Sequence, residues 1–185
     1  MKKIISAILA ILCTMSLFAA CGNENGTAAE AETTISEEAN SGNYVIRNVK
    51  WGMTIDEVKA SETAEFESEK ENKSLRYKNI DMFGQKFDLV YAFSVSKGLE
   101  SASYGSPNVL ADEADKLRKS IIDTLTEKYG ESEYDSTLNR RTWYSDGTKI
   151  DLYEGTPEES VNLTFFRIWY SIDENANQRS DNGNL

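Results

Sequence analysis

The side chains that do covalent or acid–base chemistry are thinly represented here. The 185 residues include no histidine and two cysteines, Cys13 and Cys21. That removes His-based general acid–base catalysis, Ser-His and Cys-His nucleophilic pairs, and His-ligated zinc. A Ser-x-x-Lys spacing occurs at Ser94–Lys97, but at the end of a predicted strand rather than at a helix start. Carboxylate pairs such as Asp151/Glu154 and Glu131/Glu133 are the residue type that glycosidase chemistry needs. With 31 acidic residues they arise by chance and read as solvated charge. Asp173, Asn175 and Asn177 echo a calcium loop, which then has Gln178 and Asn184 where glycine and glutamate are required. No glycine-rich phosphate loop occurs. The chemistry expected is therefore recognition, with no catalytic residue, metal or cofactor. Trp51, Trp143, Tyr144, Trp169 and Tyr170 are the candidates for it, lying near strand ends or alternating with polar residues. Those that share an exposed sheet face would form a protein- or glycan-binding surface, and the rest would be core.

The elements that must position these aromatics follow from periodicity. Thr54-Ile55-Asp56-Glu57 is a capping box, predicting a two-turn helix over Ile55–Ser61 with Ile55 and Val58 inward. Glu62 to Ser74 is charged and reads as a loop. Phe87, Leu89, Tyr91, Phe93 and Val95 alternate without a break, and Lys97-Gly98 turns that strand into Leu99–Tyr104. After Gly105-Ser106-Pro107, apolar residues recur from Leu110 through Leu117, Ile121 and Leu125 to Tyr129. They predict a long amphipathic helix stopped by Gly130. An acidic loop (Glu131, Glu133, Asp135) precedes strands at Thr142–Tyr144, Ile150–Tyr153 and Val161–Ile172. The last run changes phase at Phe165-Phe166, which predicts a bulge or burial on both faces. Each half thus reads as a helix and about three antiparallel strands. The expected fold is α+β, with two such repeats (about 43–105 and 106–172) forming one twisted sheet and the helices on one face.

The ends of the chain carry an address. Lys2 and Lys3 precede an uncharged, mostly apolar run from Ile4 to Ala20, the pattern of an export signal. The segment Leu17-Phe18-Ala19-Ala20-Cys21-Gly22 resembles a bacterial lipobox, with Phe18 where leucine is usual. The resemblance implies a diacylglycerol-modified Cys21, a mature chain starting there, and attachment to the extracytoplasmic face of the membrane. No thiol would then remain for a disulfide or a metal. Residues 21–42 read as a lipidated tether, which is polar and holds five glutamates and no basic residue. Flexible-chain statistics over this length put the domain roughly 25 Å from the membrane. Loss of Lys2 and Lys3 takes the formal charge from −11 to −13, and with −5 on the tether, −8 remains beyond it. That balance excludes nucleic acid as a partner. Residues 173–185 read as a polar tail, leaving 43–172 as the folded domain.

Gly52-Met53-Thr54-Ile55-Asp56-Glu57-Val58 resembles the start of the BamE-like (SmpA/OmlA) lipoproteins. Ser61-Glu62-Thr63 stands where that family usually has Gly-x-Pro. The helix-then-three-strands plan, given twice, is similar to the β-lactamase inhibitor protein fold. Together these resemblances imply a scaffold that binds a protein or cell-wall partner rather than a catalyst. An inhibitor or sensor module acting on an extracellular hydrolase is the alternative they allow.

Overall fold

A computed structural model describes residues 45–176 apart from 72, 159 and 161. The signal, Cys21, the tether and most of the tail lie outside the described residues. The first helix, α1 (Ile55–Ser61), begins where its capping box sets it. The Thr54 hydroxyl accepts from the Glu57 amide at 3.3 Å, and Glu57 Oε2 accepts from the Thr54 amide at 2.8 Å. Four antiparallel strands follow: β1 (Glu65–Lys70), β2 (Ser74–Met82), β3 (Gln85–Ser94) and β4 (Gly98–Gly105). The short β5 (Val109–Leu110) leads into α2 (Ala111–Tyr129), and β6 (Glu133–Asp135), β7 (Arg140–Ser145), β8 (Thr148–Gly155) and β9 (Leu163–Ile172) follow.

All the strands belong to one antiparallel sheet in the order β1-β2-β3-β4-β9-β8-β7-β6, with β5 paired to the start of β9. Directly opposite residues share a face, so the register fixes the core. Tyr91, Ala102, Tyr170, Ile150 and Trp143 lie side by side across five strands, and Leu89, Tyr104, Ile168 and Leu152 form the next row. All nine are buried. Onto this inner face α2 packs Ala114, Leu117, Ile121 and Leu125. A two-pronged ion pair pins it: Arg118 Nε and Nη2 donate to Glu154 on β8 at 2.7 and 2.6 Å. Glu154 thereby holds the Arg118 guanidinium well above its ordinary pKa.

The observed architecture corrects the expected one. A nine-stranded antiparallel sheet dominates, with two unequal helices of 7 and 19 residues, rather than two matched helix-then-strand repeats with helices on one face. Two segments read as loops are strands, Glu65–Lys70 and Glu133–Asp135. Both are sheet edges, and β1 is exposed along its whole length, so neither shows the alternation that burial imposes elsewhere. The phase change in β9 is likewise not a bulge. Its pairing with β8 runs unbroken from Phe165 to Ile172, and Phe165 lies outward over Gly155.

Where α1 ends, Glu62 organises the chain. Its carboxylate side chain is 1% exposed and accepts from Arg47 Nε at 3.0 Å at both oxygens, from Tyr91 Oη at 2.7 Å, and from the Thr63 and Ala64 amides at 2.8 Å each. Burial disfavours the Arg47 charge, but Glu62 outweighs it and raises the guanidinium above its ordinary pKa. Burial first, and Glu62 second, push the Tyr91 phenol well above 10.

Candidate functional site

A β-strand sends adjacent residues to opposite faces, and this rule divides the five candidate aromatics. Trp143 and Tyr170 point inward at 0% and 5% exposure, so they belong to the core and to no surface. Their neighbours Tyr144 and Trp169 point outward, Tyr144 half-buried and Trp169 at 36% exposure. Trp51 stands apart in the loop before α1, with its indole N–H on Thr148 Oγ1 at 3.2 Å. Of the five, Tyr144 and Trp169 therefore share the outer sheet face, while Trp143 and Tyr170 fall to the core. Arg140 and Arg141, adjacent on β7, split in the same way. Arg141 turns to the inner side, stacks on Tyr134 at 5.1 Å and donates to Ser132, while Arg140 turns outward.

The outer face of β7, β8 and β9 forms a three-by-three grid. Its rows, read across the strands, are Arg140-Tyr153-Arg167, Thr142-Asp151-Trp169 and Tyr144-Lys149-Ser171. Strand spacing and rise give it dimensions of roughly 10 by 14 Å. The central Asp151 is only 3% exposed although it lies on the solvent side of the sheet. Its Oδ1 accepts from the Thr142 hydroxyl at 2.6 Å, and its Oδ2 from Lys149 Nζ at 2.8 Å and Tyr153 Oη at 3.4 Å. Arg140 Nε sits 3.7 Å from Oδ1, and this buried nitrogen has no hydrogen-bond partner among the described residues. Tyr153 first, then Asp151 and Asp135, raise the Arg140 guanidinium above its ordinary pKa. Asp135 is more distant, at 3.9 Å, and its other oxygen is taken by the Thr137 and Leu138 amides.

One buried carboxylate thus anchors two cations and two hydroxyls, with both of its oxygens engaged. What the grid turns outward is cations, hydroxyls and aromatic faces, with Glu133 and Asp135 of β6 beside Thr142 and Arg140 on the same face. Arg167 is exposed, with no ion pair or hydrogen bond among the described residues, and the Trp169 indole N–H has no acceptor there either. The pattern offers an aromatic platform flanked by guanidinium and ammonium groups. Sequence reasoning found Trp169 and Tyr144, read Asp151 as solvated charge where the structure buries it, and missed Arg167, Lys149 and Tyr153. Outward parity from Trp169 would have found Arg167, whereas Asp151 needed the β8–β9 register.

Other clusters are accounted for structurally. A shallow depression of about 300 Å³ beside Arg47, Glu65, Lys78 and Asp81 is lined by charges engaged in ion pairs, Arg47 with Glu62, Lys78 with Glu65 and Asp81 with Lys86. Among the described residues no group of three or more Asp, Glu, Cys or His side chains is placed to hold a metal, and no helix is long and apolar enough to cross a membrane. No protein-family model, curated protein or solved structure matches the chain.

Proposed function

We propose that this protein is a non-catalytic binding module, held at the extracytoplasmic face of a bacterial membrane by a lipid on Cys21, that captures a protein or cell-wall partner. The observation that carries the binding half is the donor-rich, aromatic outer face of β7–β9, whose exposed members Trp169 and Arg167 contribute nothing to the core. The anchoring half rests on the basic start, the apolar run and the Ala19-Ala20-Cys21 sequence. The same module at the end of an acidic tether would stand clear of anionic lipid.

Photo-crosslinking on intact cells tests the first half. A benzoylphenylalanine at position 169 should give a specific adduct, while the same group at Lys119 on the exposed side of α2 gives none. Equal labelling from both positions, or none from either, overturns the reading. Metabolic labelling with an alkynyl fatty acid tests the second half. Cys21→Ser should abolish label and membrane retention, and an equally labelled, membrane-bound variant refutes lipidation.

A further inference from the structure

Resting on that reading and deepening it, we infer that the protein partner of the outer face is a second copy of this chain, packed sheet to sheet about a two-fold axis between β4 and β9. The outer face continues past β9, because the registers carry it through Ser103 to Val90 and through Ser101 to Ala92. Bulk is unevenly shared along it. On β9 the outward Arg167 and Trp169 form a ridge, whereas β4 beside them turns out only Ser101, Ser103 and Gly105. A two-fold interface needs a patch that complements itself. Turned about an axis between these two strands, the Trp169 ridge of each copy lies over the low β4 strip of the other.

Charge points the same way. Ion pairs neutralise the face on both halves, with Arg76 between Glu67 and Asp88 at 3.4 and 3.6 Å and Arg140 between Asp135 and Asp151 at 3.9 and 3.7 Å. The net −8 beyond the tether is therefore carried mainly by other surfaces, which repel a second copy. A neutral face selects neither a strongly acidic nor a strongly basic partner, but it matches itself. Arg167 shares a row with Gly105 and Asp88, and the same two-fold turn sets it against Asp88 of the other copy, whose side chain is 53% exposed.

Area sets the strength. Twist carries the outer strands of two packed sheets apart, so contact centres on β3, β4, β9 and β8. These are eight to ten residues long, which makes their shared face roughly 19 by 27 Å. Two such faces cover about 1,000 Å² together, the lower bound of a specific interface. Pairing in solution is therefore weak, and tethering two copies to one membrane supplies the effective concentration that makes it sufficient. The sheet edges offer no competing mode, since β6 has three residues and β1 is a charged EFESEK run broken by a register shift.

Crosslinking of the full chain in intact cells tests the inference. Ser103→Cys lies within one strand spacing of the axis and should give a band of twice the monomer mass with a short bismaleimide. Lys119→Cys, on the exposed side of α2, should give none. Arg167→Glu and Asp88→Arg, each added to Ser103→Cys, should cut the yield by about tenfold. The two exchanges together should restore at least half of it, because the contact is then the same with its signs reversed. Both side chains are exposed, so every variant should keep the wild-type urea midpoint, which separates lost pairing from lost folding. Equal bands from positions 103 and 119, no band from 103, or no rescue by the double exchange overturns the pairing. An adduct of position 103 with a different protein overturns it in favour of that protein. A foreign adduct from position 169 without the 103 band leaves the binding-module reading standing and removes this one.

Discussion

Asp151→Asn is the sharpest test of how the outer face is held together. The amide is the same size and keeps an acceptor for Thr142, but it removes the charge between Lys149 at 2.8 Å and Arg140 at 3.7 Å. At an effective dielectric of about 20, the Lys149 contact alone has a gross Coulomb energy of about 6 kcal/mol. Most of that is returned by water, because the two cationic side chains are 27% and 25% exposed and can swing outward. The net loss should therefore match a hydrogen bond to a charged group, about 2–3 kcal/mol, rather than the 3–5 kcal/mol or so of a fully buried pair. Urea unfolding of the full chain reads it as a lower midpoint with unchanged slope. Lys149→Met in the Asp151→Asn background should then recover about 1 kcal/mol, although alone it destabilises, and the double-mutant cycle measures that coupling. A loss below about 0.5 kcal/mol, or strict additivity of the two changes, refutes the view of Asp151 as the hub.

Glu62→Gln should cost about 3 kcal/mol in the same assay, because it removes the buried charge facing Arg47 and weakens the hydrogen bonds of four donors; a neutral result would mean the cluster is incidental. Gly98→Ala should cost about 3 kcal/mol, as φ is +69° and the added Cβ would lie 2.3 Å from the Gly52 carbonyl oxygen. Gly84→Ala, with φ +73° and open space around it, should lose only about 1 kcal/mol, and similar losses at both sites would dismiss the close-approach argument. The Tyr91 phenol is raised in the folded state, so its contribution to stability is intact below pH 10 and is lost as pH rises through the folded value. Tyrosinate absorbance should show a fraction of tyrosine ionising late, absent in Tyr91→Phe, and a wild-type titration identical to that of the variant contradicts the burial argument.

Legibility in the sequence followed burial. The capping box at Thr54–Glu57 and the four-and-three spacing from Ala114 to Leu125 predicted both helices, because one is a local bonding pattern and the other a packed face. The Phe87-to-Phe93 alternation predicted β3 for the same reason. Strand β1 escaped because nothing selects apolar residues where no side chain is buried, and its existence depends on pairing with β2. The candidate aromatics were found by type, yet Trp143-Tyr144 and Trp169-Tyr170 are neighbours that a strand must split between its faces. The rest of the site was illegible for a different reason. Asp151, Lys149 and Tyr153 join Arg140 and Arg167 only through the registers of three strands, and register leaves no local trace.

The place of β9 has a consequence for folding. The last of the described strands sits in the middle of the sheet, with β4 on one side and β8 on the other, and Trp169 pairs with both Ser103 and Asp151. Local contacts can close the β1–β4 meander and the β6–β8 meander while both inner edges are still open. Each is a long, regular ladder waiting for a partner, unlike the charged or short outer edges. Until Leu163–Ile172 arrives, two half-sheets compete for any free strand, their own or another molecule's. Docking of Leu163–Ile172 is therefore the step at which two half-sheets with exposed inner edges become one continuous sheet.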